Sequence, residues 1–204
     1  MINNLSCAIL AGGKSSRIKG YKAIINYKDK PLILHVLMNL YDYFDEIIIS
    51  VNNYNQYHLL KKLLYTFEKV KILIDPVIRL RCPLIGLYTC LIGTKYDYVF
   101  VTACDMPHVN IKIVNFLYEL IKKNKYSAIV PRWPNGFIEP LCAIYNRNNT
   151  LKTLLEVISY NEYSLHALIS KLVKVKYLPI ELLMRRGISR NVFYNINKLS
   201  DLKK

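Results

Sequence analysis

Short, continuous apolar segments alternate along the chain with segments whose apolar residues recur at helical spacing. The apolar runs predict five buried strands, at residues 5–10, 46–51, 70–74, 98–102 and 127–130. The helical pattern predicts helices between them, at residues 31–41, 54–67, 85–92 and 111–123. This order predicts an α/β fold of Rossmann-like type, a three-layer α/β/α arrangement with a mostly parallel central sheet.

The pattern becomes less regular after Pro131. A turn-rich loop is predicted at residues 132–137, and the segments after it are predicted to be alternately extended and helical, at 139–145, 151–158, 164–172 and 173–178. The mixed basic segment 181–190 predicts a mobile loop, and residues 192–196 predict a last short strand. Because no linker or repeat interrupts the chain, we expect a single domain over residues 1–204.

A glycine turn follows the first predicted strand, in the run Leu10-Ala11-Gly12-Gly13-Lys14-Ser15-Ser16-Arg17. Glycine allows the backbone to approach a ligand closely, and the following cations and hydroxyl groups suit a phosphate. The run lacks the first glycine of a P-loop, and no G-x-G-x-x-G motif is present. From these residues alone, a phosphate-binding turn and an ordinary surface turn both remain open.

The composition excludes some classes of protein but does not indicate a single one. The net charge of +15 predicts an anionic partner, but the cations are spread along the chain, which weakens a nucleic-acid interpretation. No apolar run reaches the roughly 18–20 residues of a membrane span, and no signal pattern is visible. Five scattered cysteines without a C-x-x-C motif fit a reducing cytoplasm and argue against a disulfide framework or a zinc site.

Polar side chains follow three more predicted strands, and in a parallel sheet these strand ends meet at one edge. Asn52 and Asn53 either contact a base or cap the next helix. Asp75 either accepts hydrogen bonds from a guanine edge or a ribose hydroxyl, or is a turn residue before Pro76. Asp105 is either a magnesium ligand, used together with phosphate oxygens, or a helix cap.

Several motifs in order resemble the molybdenum cofactor guanylyltransferase family. They are L-A-G-G-K-S-S-R at 10–17, then Lys22, P-L-I-G-L at 83–87, C-D-M-P at 104–107, E-P-L-C-A-I-Y at 139–145, and N-I-N at 195–197 followed by Asp201. The resemblance covers nearly the whole chain. It implies the nucleotide-diphospho-sugar transferase type of α/β fold and a GTP- and magnesium-dependent enzyme. Such an enzyme transfers GMP to the terminal phosphate of the molybdopterin cofactor and releases pyrophosphate.

The resemblance also implies roles for individual residues. The family's catalytic groups would be Asp105, Lys22 and Arg17, and Mg²⁺ would be held by Asp105, with Asn197 or Asn195 as a second ligand. GTP would be bound by Leu10, Ala11, Gly12, Gly13, Lys22, Asn52, Asp75 and Asp105. Residues 1–130 would form the GTP-binding half, and residues 131–204 the acceptor-binding half. Segment 132–141 would face the pterin, where Trp133 either stacks on the ligand or fills an apolar gap.

The sequence departs from the family pattern around the predicted phosphate-binding lysine. Ile18-Lys19 replaces the usual Met-Gly, Tyr21 stands where aspartate is usual, and Cys82 replaces a glycine. Lys19 is therefore an alternative to Lys22 as the phosphate ligand. The resemblance implies further contacts with proteins that deliver or accept the cofactor.

Other functions remain open from the sequence. A related nucleotidyltransferase would use CTP, a sugar phosphate or phospholactate with the same fold. A family member that has lost activity would bind nucleotide and regulate. A basic RNA-binding protein would instead show salt-sensitive RNA binding and no magnesium-dependent nucleotide chemistry.

Overall fold

The computed structural model describes residues 2, 4–13, 20–76 and 81–203. Within this part of the chain the strands are β1 (Leu5–Leu10), β2 (Asn26–Tyr27), β3 (Lys30–Pro31), β4 (Ile47–Val51), β5 (Val70–Ile74), β6 (Tyr98–Ala103), β7 (Ala128–Arg132), β8 (Cys142–Asn146) and β9 (Val175–Pro179). The α-helices there are α1 (Leu32–Leu40), α2 (Tyr54–Leu63), α3 (Pro83–Gly93), α4 (Ile111–Asn124), α5 (Arg147–Ser159), α6 (Leu165–Lys171) and α7 (Ile180–Arg185).

Seven of the described strands form one central sheet in the order β5-β4-β1-β6-β8-β7-β9. Strands β5, β4, β1 and β6 run parallel, and β7 is parallel to β9. Strand β8 is antiparallel to both of its neighbours. The predicted mostly parallel sheet is therefore confirmed, with one reversed strand that the sequence pattern did not indicate. The short strands β2 and β3 form a separate hairpin.

The sheet is buried on both faces, which explains why its central strands are continuously apolar. Along β4, Ile47 and Ile49 pack into the core on one face, and Ile48 packs into the core on the other. Helices α1, α2, α4 and α7 contribute to the first core, whereas α3, α5 and α6 contribute to the second. The predicted three layers follow from this alternation, because successive residues of a strand point to opposite faces.

The structure corrects two predictions in the last quarter of the chain. Segment 181–190, predicted to be a loop, begins with helix α7, whose Ile180 and Leu183 are buried in the core. Residues 192–196 are not a strand, because a 3₁₀ turn covers Arg190–Phe193. Helix α7 has only six residues, so its buried face spans little more than one turn and gives a weak periodic signal.

Smaller differences concern the ends of elements. Between the glycine turn and α1, a 3₁₀ turn covers Lys22–Ile24 before β2 begins. Helix α3 begins at Pro83, where proline suits the first helical position, and Gly93 lies in its last turn instead of after it. No helix of the described residues is long and apolar enough to cross a bilayer.

Candidate active site

A cavity of about 630 Å³ opens at the carboxyl ends of the four parallel strands. Strand register brings these ends together, since Leu10 of β1 lies opposite Ser50 of β4 and Ala103 of β6. From these four strands and the turns after them, the lining residues include Leu10, Gly12, Gly13, Ser50, Asn52, Asp75, Cys104 and Asp105. The predicted convergence of polar residues at one sheet edge is therefore present.

The glycine turn is held by the residues that follow β4. The carbonyl oxygen of Gly12 accepts hydrogen bonds from the side-chain amides of Asn52 and Gln56. A Cβ atom on Gly12 would overlap Asn52 Oδ1, so a larger residue here would displace the Asn52 side chain. Asn53 has a different role, because its side chain caps α2 by accepting from the Gln56 N–H at 3.0 Å. Of the two asparagines, Asn52 lines the cavity.

Asp75 lies one residue beyond β5 and is 8 % exposed. Its backbone N–H donates to the carbonyl of Val51 at 2.7 Å, which extends the sheet ladder to the cavity. Its Oδ1 accepts a hydrogen bond from the Thr89 hydroxyl at 2.6 Å. Burial raises the pKa of Asp75 to about 6, although the hydrogen bond from Thr89 acts in the opposite direction. Asp75 is therefore a buried acceptor on the cavity wall that loses its charge in mildly acidic solution.

Lys22, Asp105 and Asn197 form a polar group at the other side of the cavity. The Lys22 ammonium donates to Asp105 Oδ2 and, at 2.9 Å, to Asn197 Oδ1. The second carboxylate oxygen, Asp105 Oδ1, is buried and has no hydrogen-bond partner among the described residues. A buried carboxylate oxygen without a donor is an unsatisfied acceptor, which a bound cation would satisfy.

These donors suit a hard cation. One carboxylate and one amide oxygen, completed by phosphate oxygens and water, are typical of Mg²⁺ sites. Within the described residues no three histidine, cysteine, aspartate or glutamate side chains cluster as a metal-binding group. Asp105 and Asn197 therefore fit a magnesium ion that is bound together with a nucleotide, and they do not resemble a zinc site.

The 195–197 segment is fixed at its middle residue and at its C-terminal end. The Ile196 N–H donates to the Asp105 carbonyl at 2.9 Å, and the Ile196 side chain is buried beside Tyr27 and Leu32. Asp201 Oδ2 accepts from the backbone N–H groups of Asn197 and Lys198, both at 2.9 Å. Asn195 also lines the cavity, so both asparagines of the N-I-N motif reach the site.

The model of the MobA-like NTP transferase domain matches residues 7–175. The chain belongs to this family. A probable molybdenum cofactor guanylyltransferase of Thermococcus gammatolerans is 36 % identical over 97 % of this chain and 96 % of its own length. One of Thermococcus sibiricus is 33 % identical over 96 % of this chain and 94 % of its own.

A solved structure agrees with these sequence relatives. The molybdopterin-guanine dinucleotide biosynthesis protein A of Archaeoglobus fulgidus superposes with a TM-score of 0.80 at 25 % identity. The superposition covers 97 % of this chain and 95 % of that one. The resemblance seen in the sequence motifs is thereby confirmed at the level of the family and of the fold.

Not all of the residues that the resemblance implies for GTP binding line the cavity. Leu10, Gly12 and Gly13 line it, whereas the Ala11 side chain is fully buried in the core behind the turn. Ala11 is not among the residues that line the cavity, and its backbone N–H donates to the Ser50 carbonyl at 2.9 Å. Arg17, like Lys14 and Lys19, lies outside the described residues.

Trp133 packs against protein groups. Its ring lies 5.7 Å from that of Phe193, and the Arg190 guanidinium is 4.5 Å from its ring centroid. Its indole N–H donates to Glu139, whose pKa is raised by burial and lowered in part by this hydrogen bond. In this arrangement Trp133 ties the 132–137 loop to the 3₁₀ turn at 190–193, which favours the gap-filling role over stacking on a ligand.

The cysteines do not form a nucleophilic site. All five are free, and only Cys82 is not fully buried. Burial raises the pKa values of Cys7, Cys90, Cys104 and Cys142, so these thiols stay protonated at neutral pH. Cys104 and Cys82 line the cavity as small apolar groups beside the polar ones.

The sequence did not indicate the supporting roles of three residues, Gln56, Thr89 and Asp201. Gln56 and Thr89 lie on helices, where a single polar residue facing the core is the only local signal. Asp201 was noticed as part of a motif without a role. Each acts by a hydrogen bond to a residue that is itself in the site or next to it.

Proposed function

We propose that this protein transfers GMP from GTP to the terminal phosphate of the molybdenum-bound molybdopterin cofactor. The products are the guanine dinucleotide cofactor and pyrophosphate. One observation carries the proposal: hydrogen bonds connect Lys22 to Asp105 and Asn197, and these residues line the same cavity as the glycine turn. That arrangement supports triphosphate binding, and the relatives named as guanylyltransferases cover nearly the whole chain.

GTP is proposed to lie across the ends of the four parallel strands. At the guanosine end, Asp75 accepts hydrogen bonds, and the side-chain amide of Asn52 accepts or donates them. Guanine suits Asp75 because its edge presents two neighbouring N–H donors, which adenine and the pyrimidines do not. The triphosphate extends toward Gly12, Gly13 and Lys22, where backbone N–H groups and an ammonium group favour anions.

The reaction needs charge neutralisation more than a strong base. An oxygen of the pterin phosphate monoester, already anionic, attacks the α-phosphorus of GTP. The bond from that phosphorus to the bridging oxygen breaks, and pyrophosphate leaves with the electron pair. Lys22 and, by the resemblance, Arg17 stabilise the negative charge that develops on the leaving group.

Magnesium is proposed as the metal of this reaction. When bound, Mg²⁺ draws charge from the phosphate oxygens and reduces the repulsion between the two anionic substrates. Asp105 and Asn197 are the residues proposed to hold it, since Asp105 Oδ1 is a buried acceptor without a partner in the described structure. Lys22 remains beside this position to bind the phosphates.

The acceptor is proposed to bind through residues 131–204, while residues 1–130 bind GTP. Leu141, Asn195 and Asn197 from the second half already line the cavity, so the acceptor phosphate has a direct path to the nucleotide. We also propose that the protein works in the cytoplasm, because five unpaired cysteines suit a reducing compartment. Proteins that deliver or accept the cofactor are further proposed partners.

A nucleotide panel tests the proposal without the pterin. Thermal unfolding is measured with GTP, ATP, CTP and UTP, each with and without Mg²⁺. A ligand at 100 times its dissociation constant stabilises a protein by about 2.7 kcal/mol, which moves the melting temperature measurably. We expect the largest shift with GTP and Mg²⁺. A preference for CTP would replace guanylyl transfer by cytidylyl transfer, and no shift with any nucleotide would contradict the proposal.

A further inference from the structure

The carboxylate of Asp75 is contacted by one side-chain hydroxyl group, that of Thr89. Asp75 is buried one residue beyond β5, and Pro76 follows it directly. The Thr89 hydroxyl, on helix α3, donates to its Oδ1 at 2.6 Å. Thr89 itself is only 2 % exposed, so water does not replace this hydroxyl group.

The hydroxyl of Thr89 has a choice of acceptors. It also lies 3.0 Å from the carbonyl oxygen of Ile85, one turn earlier in the same helix. A hydroxyl carries one hydrogen, so it donates to one of these oxygens at a time. An ionised carboxylate is the stronger acceptor, and hydrogen bonding therefore favours the charged form of Asp75.

The other groups around Asp75 do not provide an equivalent donor. The hydroxyl of Tyr21 is buried nearby without a hydrogen-bond partner among the described residues, and the Cys90 thiol donates to the Ile48 carbonyl at 3.9 Å. Arg81 lines the same cavity, but no hydrogen bond or ion pair joins it to Asp75 in the described structure. Among the described residues, the Thr89 hydroxyl is thus the one side-chain donor on this carboxylate.

We propose that Thr89 is a positioning residue for base selection, which holds the Asp75 carboxylate ionised and turned toward the guanine edge. This inference rests on the proposed function, because it takes guanosine as the ligand of Asp75. With Oδ1 held by Thr89, Oδ2 and the remaining lone pair of Oδ1 accept the two neighbouring N–H groups of guanine. A protonated or rotated carboxyl group accepts at most one of them.

The test compares variants of the whole protein in GTP binding measured by calorimetry from pH 5.5 to 8.5. Thr89→Val removes the hydroxyl with little change of shape, and Thr89→Ser keeps it. Thr150→Val is the matched control, because Thr150 is buried in α5 and is not among the residues lining the cavity. Asp75→Asn tests the proposed guanine contact directly. Nucleotide phosphates titrate in the same range, so the variants are compared with one another at each pH.

We expect Thr89→Val to weaken GTP binding about tenfold at pH 7 and to shift the midpoint of its pH dependence upward by about one pH unit. The sign follows from the lost donor, since an unsupported buried carboxylate is protonated at higher pH. The loss should shrink at pH 8.5, and Thr89→Ser should restore the wild-type profile. The discrimination between GTP and ITP, which lacks one N–H donor group, should also fall.

The outcomes separate the two proposals. If Asp75→Asn binds GTP as well as the wild type does, the proposed guanine contact is wrong. If Asp75→Asn loses GTP binding while Thr89→Val behaves like Thr150→Val at every pH, only the positioning role is wrong. Should Thr89→Val not fold, Thr89→Ala removes the same hydroxyl without adding a methyl group, and the same comparison decides.

Discussion

The ammonium group of Lys22 donates a hydrogen bond to the carboxylate of Asp105, which lies 83 residues later in the chain. The two side chains are largely buried, with exposed fractions of 11 % and 15 %. The pair joins the segment after the glycine turn to the end of β6. A cation bound between Asp105 Oδ1 and Asn197 would compete with Lys22 for the Asn197 amide oxygen, and the nearby ammonium group would repel it.

This competition gives a prediction for Lys22→Met. In the absence of nucleotide, Mn²⁺ used as a probe should bind more tightly to the variant, because no ammonium group occupies Asn197 Oδ1 or adds positive charge beside the carboxylate. GTP should bind at least tenfold more weakly, since hydrogen bonds to charged groups contribute about 1.5–3 kcal/mol. Electron paramagnetic resonance measures free Mn²⁺, and calorimetry measures GTP binding.

Lys28→Met is the control for this experiment, because Lys28 is exposed outside the cavity. Unchanged Mn²⁺ binding in Lys22→Met would show that the metal does not compete with Lys22. If Lys19→Ala weakens GTP binding and Lys22→Ala does not, Lys19 is the phosphate ligand instead.

Asp105→Asn keeps the shape of the side chain and an acceptor for Lys22 but removes the charge. We expect turnover to fall more than 100-fold, because a metal ion stabilises transition-state charge by several kcal/mol. The melting temperature should change little. Pyrophosphate release at saturating Mg²⁺ measures the effect, with the exposed Asp29→Asn as the control. Turnover within tenfold of the wild type would rule out Asp105 as the metal ligand.

The two glycines of the turn make a matched pair of variants. An added Cβ on Gly12 meets Asn52 Oδ1 at 2.2 Å, whereas one on Gly13 meets no atom of the described residues within 4 Å. Gly12→Ala should therefore displace Asn52, lower stability by about 1–3 kcal/mol and weaken GTP binding. Gly13→Ala should keep the stability of the wild type. Thermal unfolding of both variants checks this, and equal stabilities would contradict the described packing of Asn52.

The ionised carboxylate of Asp75 should lower the free energy of unfolding, because it is buried. Its folded pKa of about 6 exceeds the ordinary value of 3.8, so the native state binds the proton more tightly. The stability contributed by this one group is fully present below about pH 4 and is lost as the pH rises through 6, by at most about 3 kcal/mol. Asp75→Asn should melt several degrees higher than the wild type at pH 8, with a smaller difference at pH 4.5. An equal or lower melting temperature at pH 8 would contradict the buried charge.

Much of the fold could be predicted because the central strands are continuous apolar runs in the sequence. A run such as Ile47-Ile48-Ile49 is apolar on both faces and fits only a strand covered by helices. The reversal of β8 had no such signal, since direction in a sheet depends on how distant segments pair. Helix α7 was missed because only Ile180 and Leu183 mark its buried side.

The site residues that could be predicted are polar residues that closely follow a predicted strand. Asp75 and Asp105 were found because each follows a strand, and parallel strand ends meet at one edge. The donors that support them were not, because the bond from Thr89 to Asp75 joins a helix to a strand end and leaves no mark in either segment. The Lys22–Asp105 pair likewise appears only once the chain is folded.

The most direct test of the central claim follows the α-phosphate of the nucleotide. The protein is incubated with molybdenum-bound molybdopterin, Mg²⁺ and GTP labelled at the α-phosphate, and the pterin product is separated and counted. We predict that the label moves to the pterin with one pyrophosphate released per transfer, and that labelled CTP and ATP give little product. Transfer from CTP instead of GTP, or no transfer by a protein that binds GTP and Mg²⁺, would contradict guanylyl transfer.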